Sequence, residues 1–174
     1  DKTLRLSRLR FDATPARRIE ARRETTEALA NALDLVRVAL AGEQAGGARR
    51  VLDITVDYAK SRIQFGRPIG SFQAIKHMAA DLLLEVESAT SAAREAARLL
   101  SMGSASAGAA VSLAASACGD AFVKVTADAI QMHGGIAFTW DHDAHLYLRR
   151  ARADAQLFGV SAAHRERFLT ALGA

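Results

Sequence analysis

Apolar and small residues recur every three or four positions through most of this chain, which is the period of a helix with one buried face. From about Leu33 to Gln64 the stripe is Leu40, Ala45, Ala48, Leu52, Thr55, Tyr58 and Ala59, and it predicts one long helix. A second helix is predicted over about 71–101, on Phe72, Ile75, Ala79, Leu82, Leu83, Val86, Ala93, Ala97 and Leu100. A third covers about 108–132, where Val111, Ala114, Cys118, Ala121, Val125, Ala129 and Met132 alternate at three and four. A fourth runs from about Trp140 to Arg152 with Thr139 as its cap, and a short helix near 161–171 closes the chain. Helices joined by such short loops predict an all-α, up-down four-helix bundle. Residues 3–11 break the pattern: Leu4 and Leu6 alternate, then Leu9 and Phe11 after a change of phase, which reads as a short, bulged strand. A lone strand has nothing here to pair with, so it reads as the last strand of a preceding β domain. Residues 1–31 are then that strand and a connector with a short helix, and residues 32–174 are the bundle.

Composition supports this picture. Half of the 174 residues are apolar, enough for one domain with a substantial core. There are only two prolines, which favours helix, and an aromatic content of 6% argues against an all-β chain. Gly42, Gly46 and Gly47 fall inside the first long helix, at a cost of about 1 kcal/mol each relative to alanine, so close helix packing is expected around them. The net charge is +4, but the densest basic cluster, Arg17, Arg18, Arg22 and Arg23, is interleaved with Glu20 and Glu24. That is a solvated helix face and not a nucleic-acid surface. The single Cys118 reads as a small buried hydrophobe. No run reads as long and apolar enough to span a membrane, and no signal peptide is evident, so a soluble, cytoplasmic protein is expected. The absence of an initiator methionine hints at a fragment or a trimmed product.

Two strings carry candidate chemistry. In residues 58–77, Gly66, Pro68 and Gly70 interrupt the helical pattern, and Ser71 is placed to cap the helix that follows. Arg62, Gln64 and Phe65 then sit at a helix C-terminus facing a tight turn. Arg62 there either complements the helix dipole or holds a phosphate with its planar guanidinium. The second string is Gln131-Met-His-Gly-Gly-Ile-Ala-Phe-Thr-Trp-Asp. Gly134-Gly135 serves equally as a helix cap and as backbone that a ligand can approach closely.

The first string, R-x-Q-F-G-R-P-I-G-x-F-Q, resembles the signature of the acyl-CoA dehydrogenase family in its C-terminal helical domain, with Arg62, Gln64, Phe65, Pro68, Phe72 and Gln73 matching. The second is similar to that family's Q-x-x-G-G-x-G-x-T-x-E segment, matched by Gln131, Gly134, Gly135 and Thr139, with Ala137 for a glycine and Asp141 for the acid. The resemblance covers nearly the whole chain. It implies that Arg62, Gln64, Phe65, Gln73, Gln131, Gly134 and Gly135 contact FAD bound mainly by an adjacent subunit, and that the strand is the end of a middle β domain. It also implies removal of the α proton of an acyl-CoA thioester by a carboxylate, with the β hydrogen passing to flavin.

At the family's two positions for that carboxylate the sequence differs. The turn after the fourth helix reads Leu157-Phe158-Gly159-Val160, with Phe158 for the glutamate. On the first long helix Leu33-Asp34-Leu35-Val36-Arg37 places Val36 there. Asp34 lies about 200° round the helix from Val36 and so points elsewhere. Asp154, one turn before Phe158 and read as a surface residue or cap, is the fallback base. The expectation is therefore a subunit without its own catalytic residue, in a homo- or hetero-oligomer, a tetramer with a base-carrying subunit. Family pairs of that kind act on bulky steroid-derived CoA esters. A non-enzymatic helical assembly module and a flavin-dependent oxygenase relative stay open as alternatives. His142 and His145, with Asp141 and Asp143, read as surface or supporting histidines and not as a metal site, while His77 and His133, beside the flavin strings, read by default as ordinary packing, with polar contacts near the cofactor as the alternative.

Overall fold

The computed structural model describes residues 4–18 and 25–173. Five helices follow one another: α1 over Thr25–Ser61, α2 over Gln73–Ser101, α3 over Ala107–His133, α4 over Ala144–Asp154 and α5 over Ser161–Ala171. Between α1 and α2 lies a two-stranded antiparallel hairpin, β1 (Ile63–Gln64) and β2 (Arg67–Pro68). Helix α3 is the hub and packs against α1, α2, α4 and α5. The two C-terminal helices are 11 residues each, about 16 Å, against about 40 Å for the 27 residues of α3. Three long helices therefore make the bundle, and two short ones share its fourth side.

One half of the core is built on larger side chains, Val51, Leu82, Val86, Phe122 and Val125. The other half is almost all alanine, from Ala41 and Ala45 through Ala89, Ala93 and Ala114 to Ala121. Small side chains let backbones approach and keep helix propensity high. Cys118 is buried in that half, its thiol donates to the Ala89 carbonyl at 3.2 Å, and burial pushes its pKa up to about 12, so it is an inert packing residue, as expected. Buried hydroxyls bond back to their own helices: Thr55 to Val51 O and Thr126 to Phe122 O, each at 2.7 Å.

The three glycines of α1 divide. A Cβ on Gly47 would stand 2.7 Å from Phe122 Cζ, so here α1 and α3 are too close for any side chain. Gly42 and Gly46 face open space, and packing within the chain does not account for them. Replacing Gly47 by alanine should therefore cost about 1–3 kcal/mol through overpacking, despite the better helix former. A lowered urea midpoint at unchanged m-value is the measurement that checks it.

Three expectations change. The stretch Ala107–Phe138 is, by length and composition, long and apolar enough to cross a membrane, although no such run was expected. Its apolar character is used as the central helix of the bundle. The strand expected over residues 3–11 is not formed across 5–11, because the only strands among the described residues, β1 and β2, pair with each other, and Leu6, Leu9 and Phe11 stand exposed. Residue 3 and residues 19–24 of the expected connector lie outside the described residues, and the connector's end, 25–31, is the start of α1. The fourth helix begins at Ala144, because residues 134–138 coil into a 3-10 turn first.

Candidate functional site

Helix α1 stops at Ser61, three residues before the pattern predicted. Arg62 is the next residue, its N–H donating to Tyr58 O at 2.8 Å. The chain then reverses through a two-residue loop, since Gln64 pairs with Arg67. Phe65 and Gly66 both have positive φ, 53° and 76°, the geometry of the tight hairpin turn whose twist matches the strands. Phenylalanine is an uncommon occupant of that conformation, and this one is 91% exposed. Its ring meets Phe72 edge to face at 6.1 Å, and the Arg67 guanidinium lies 4.0 Å over the Phe72 ring. Ser71 does not cap α2: its hydroxyl donates to Pro68 O at 2.7 Å, and Phe72 takes the cap position without a side-chain bond. Gln64 is exposed and donates to its neighbour Ile63 O at 2.9 Å.

Gly134 closes α3 with φ 68°, a conformation that disfavours any side chain, and Gly135 follows with open space where a Cβ would go. Gln131 and both glycines are exposed. Ala137, in place of the expected glycine, is fully buried beside Ile130 and Ala144, so its methyl fills a small cluster and leaves the exposed side of the turn unchanged. Thr139 caps the turn and not α4, accepting from Asp141 N–H at 3.3 Å and donating to Ile136 O at 2.8 Å.

A cluster of rings draws the two strings together. Tyr58, one turn before Arg62, stacks on His133, the residue before Gly134, at 4.5 Å. His142 lies 4.2 Å from His133 on the loop into α4, and its Nδ1 accepts from Ala144 N–H at 3.1 Å, so it also caps that helix. His133 Nδ1 donates to Ala129 O at 2.7 Å, which fixes its tautomer. Burial, and then His142, hold its pKa below the usual histidine value, so the ring is neutral. The sequence placed Tyr58 on an apolar stripe and His142 among surface or supporting histidines; their alignment with His133 becomes visible only when three elements meet. His145, read as a surface or supporting histidine, is buried and meets Trp140 edge-on at 4.8 Å. Among the described residues no three potential metal ligands gather.

The resulting surface presents a guanidinium, an amide and bare backbone. Neither the Arg62 guanidinium nor the Gln131 amide has a hydrogen-bond or ion-pair partner among the described residues. A planar cation beside approachable backbone suits a phosphate-bearing ligand.

The positions considered for a base lie at another corner. Arg37, next to Val36 on α1, donates through Nε to Phe158 O at 3.2 Å, which ties the Phe158 turn to this part of α1. Val36 and Phe158 stand 38% and 42% exposed. Phe158 has φ 57°, held between this bond and Gly159. Asp34 anchors the corner, accepting from Arg37 at 2.9 Å and from both terminal nitrogens of Arg167 at 2.7 Å. Asp154 is not the surface residue or cap expected: it is 1% exposed and paired with Arg150 at 2.9 Å. Burial pushes its pKa up while Arg150 pulls it down.

Burial likewise pushes Asp34 up, but the guanidinium bonds from Arg167 and Arg37 outweigh it and hold the carboxyl below its ordinary value. With a folded pKa below the unfolded one, its contribution is complete above the ordinary value of 3.8 and is lost as pH falls through the folded value. Asp34→Asn should cost about 2 kcal/mol at neutral pH and flatten the acid limb of stability below pH 4, read by urea unfolding across pH.

Residues 26–173 match the family model for the acyl-CoA dehydrogenase C-terminal domain. This chain belongs to the acyl-CoA dehydrogenase family. Over 126 residues it is 48% identical to the acyl-CoA dehydrogenase IpdE2 of Mycolicibacterium smegmatis, covering 72% of this chain and 39% of that relative. It is 44% identical over 165 residues to the acyl-CoA dehydrogenase FadE34 of Mycobacterium tuberculosis, covering 92% of this chain and 22% of that one. Among solved structures, a variant of the Tcur3481-Tcur3483 steroid ACAD superposes with a TM-score of 0.80 at 32% identity, over 84% of this chain and 40% of that one. The chain thus spans less than half the length of these relatives.

Proposed function

We propose that this chain is the helical, cofactor-contacting and oligomerising part of an FAD-dependent acyl-CoA dehydrogenase that takes the α and β hydrogens from an acyl-CoA thioester. The observation that carries this reading is that Arg62, whose guanidinium has no partner among the described residues, follows Tyr58 by one turn, and the Tyr58 ring stacks on His133 next to the exposed Gly134-Gly135 backbone. Those residues fit the phosphate groups of FAD: Arg62 supplies charge and a forked donor, Gln131 an amide, and Gly134-Gly135 room for close approach. Gln64, Phe65 and Gln73 complete the surface from the hairpin and the start of α2. When bound, the flavin supplies the hydride acceptor.

The chain provides no carboxylate at either Val36 or Phe158, so the proton-abstracting base belongs to a second type of subunit in a hetero-oligomer, a tetramer by family pattern. The likeness to a steroid ACAD named for two chains, and to mycobacterial dehydrogenases, favours a bulky steroid-derived CoA ester as substrate. A cytoplasmic location is part of the proposal. The test is to co-purify the full-length protein with its natural partner, record the flavin spectrum and add acyl-CoA. Yellow protein that bleaches only with the partner present supports the reading. Bleaching without a partner overturns the base-lacking role, and a colourless assembly overturns the cofactor role.

A further inference from the structure

We propose that His77 is a positioning residue for the cofactor contact of Gln73, an inference that rests on the FAD reading above. Gln73 is the first residue of α2, and His77 stands one turn later on the same face. Gln73 Nε2 lies 2.7 Å from His77 Nε2. An amide nitrogen can only donate, so His77 Nε2 accepts and the ring proton sits on Nδ1. This bond decides which end of the amide is committed and which is free. Gln73 Oε1 has no partner among the described residues and remains available as an acceptor.

Packing does not explain His77. Both residues are exposed, and no ion pair or ring contact among the described residues involves the imidazole. The pair stands immediately after Phe72, on which the Arg67 guanidinium lies and against which Phe65 packs. It is therefore continuous with the hairpin end of the cofactor surface. A free amide oxygen cannot meet a phosphate, which also only accepts. It selects a donor-bearing part of the dinucleotide, an amino group of the base or a sugar hydroxyl. Left alone, an exposed glutamine samples many rotamers and both amide orientations. The histidine bond preselects one, so less freedom is lost when the ligand arrives.

The experiment is an FAD titration, followed by flavin fluorescence, of the full-length apoprotein in its assembly. The proteins compared are the parent, His77→Ala, Gln73→Ala, the double variant and His77→Asn. We expect His77→Ala to weaken FAD binding about fivefold and Gln73→Ala about tenfold, with the double variant no weaker than Gln73→Ala. Asparagine at 77 should recover most of the loss, since its carbonyl can accept from the amide across one turn. The apoprotein melting temperature should be the same for all five. Affinity unchanged in His77→Ala, or losses that multiply in the double variant, overturns the inference while the cofactor reading stands. A parent that takes up no FAD overturns both.

Discussion

Replacing Arg62 by alanine should lower the FAD affinity of the assembled protein about 10- to 100-fold. The figure follows from the chemistry: a hydrogen bond to a charged partner is worth about 1.5–3 kcal/mol, and 1.4 kcal/mol is a factor of ten. The same substitution should leave the apoprotein's stability within about 0.5 kcal/mol of the parent, because the side chain is exposed and makes no bond within the described residues. This separates two uses of an arginine just past a helix end. A dipole-complementing cation would contribute about 0.3–1 kcal/mol to stability and nothing to cofactor binding. Lysine at 62 should restore only part of the affinity, since an ammonium lacks the planar fork. Equal flavin content in the Arg62→Ala and parent proteins would remove Arg62 from the cofactor site.

Much of this was legible in the sequence because it depended on local signals. Helical periodicity located α1, α2, α3 and α5 to within a few residues, apart from the N-terminus of α1, and Gly66 and Gly134 occupy positions where positive φ is required. The errors came where tertiary context decided. Ser71 looked like a cap, but it falls inside a 3-10 turn before α2, where its hydroxyl donates to Pro68 O and Phe72 takes the cap position. The strand pattern at the N-terminus had the right alternation and no edge to join. Asp154 looked solvent-facing because a lone aspartate usually is; its pairing with Arg150 is an i,i+4 contact that the sequence allows, but its burial is set by packing that no local pattern shows. Likewise, the link between Asp34 and Arg167 spans 133 positions and has no sequence signature. The glycines of α1 show the limit most clearly. One rule of close packing was applied to three positions, and the structure supplies a neighbour for Gly47 alone.

Phe158→Glu should give this chain the proton acceptor that its corner lacks. The turn already has the required form: Phe158 sits at φ 57°, its carbonyl is held by Arg37 at 3.2 Å, and Asp34 fixes Arg37 and Arg167 behind it. The side chain is 42% exposed, so a glutamate there is neither desolvated nor forced to displace a core residue. The left-handed backbone costs glutamate about as much as it costs phenylalanine, so stability should change little. A positioned general base is worth about 10²–10⁴-fold in rate. On the proposed function, flavin bleaching by acyl-CoA in the FAD-loaded variant, with no second subunit present, should therefore accelerate by that order over the parent. It should also rise with pH as the new carboxyl ionises. Phe158→Gln has nearly the same shape and no basicity, so it should remain at the parent rate, and the contrast isolates proton abstraction from any change in pocket shape. If glutamate and glutamine at 158 bleach at the same rate, residue 158 does not face the reacting carbon, and Val36→Glu becomes the substitution that would supply a base from this chain.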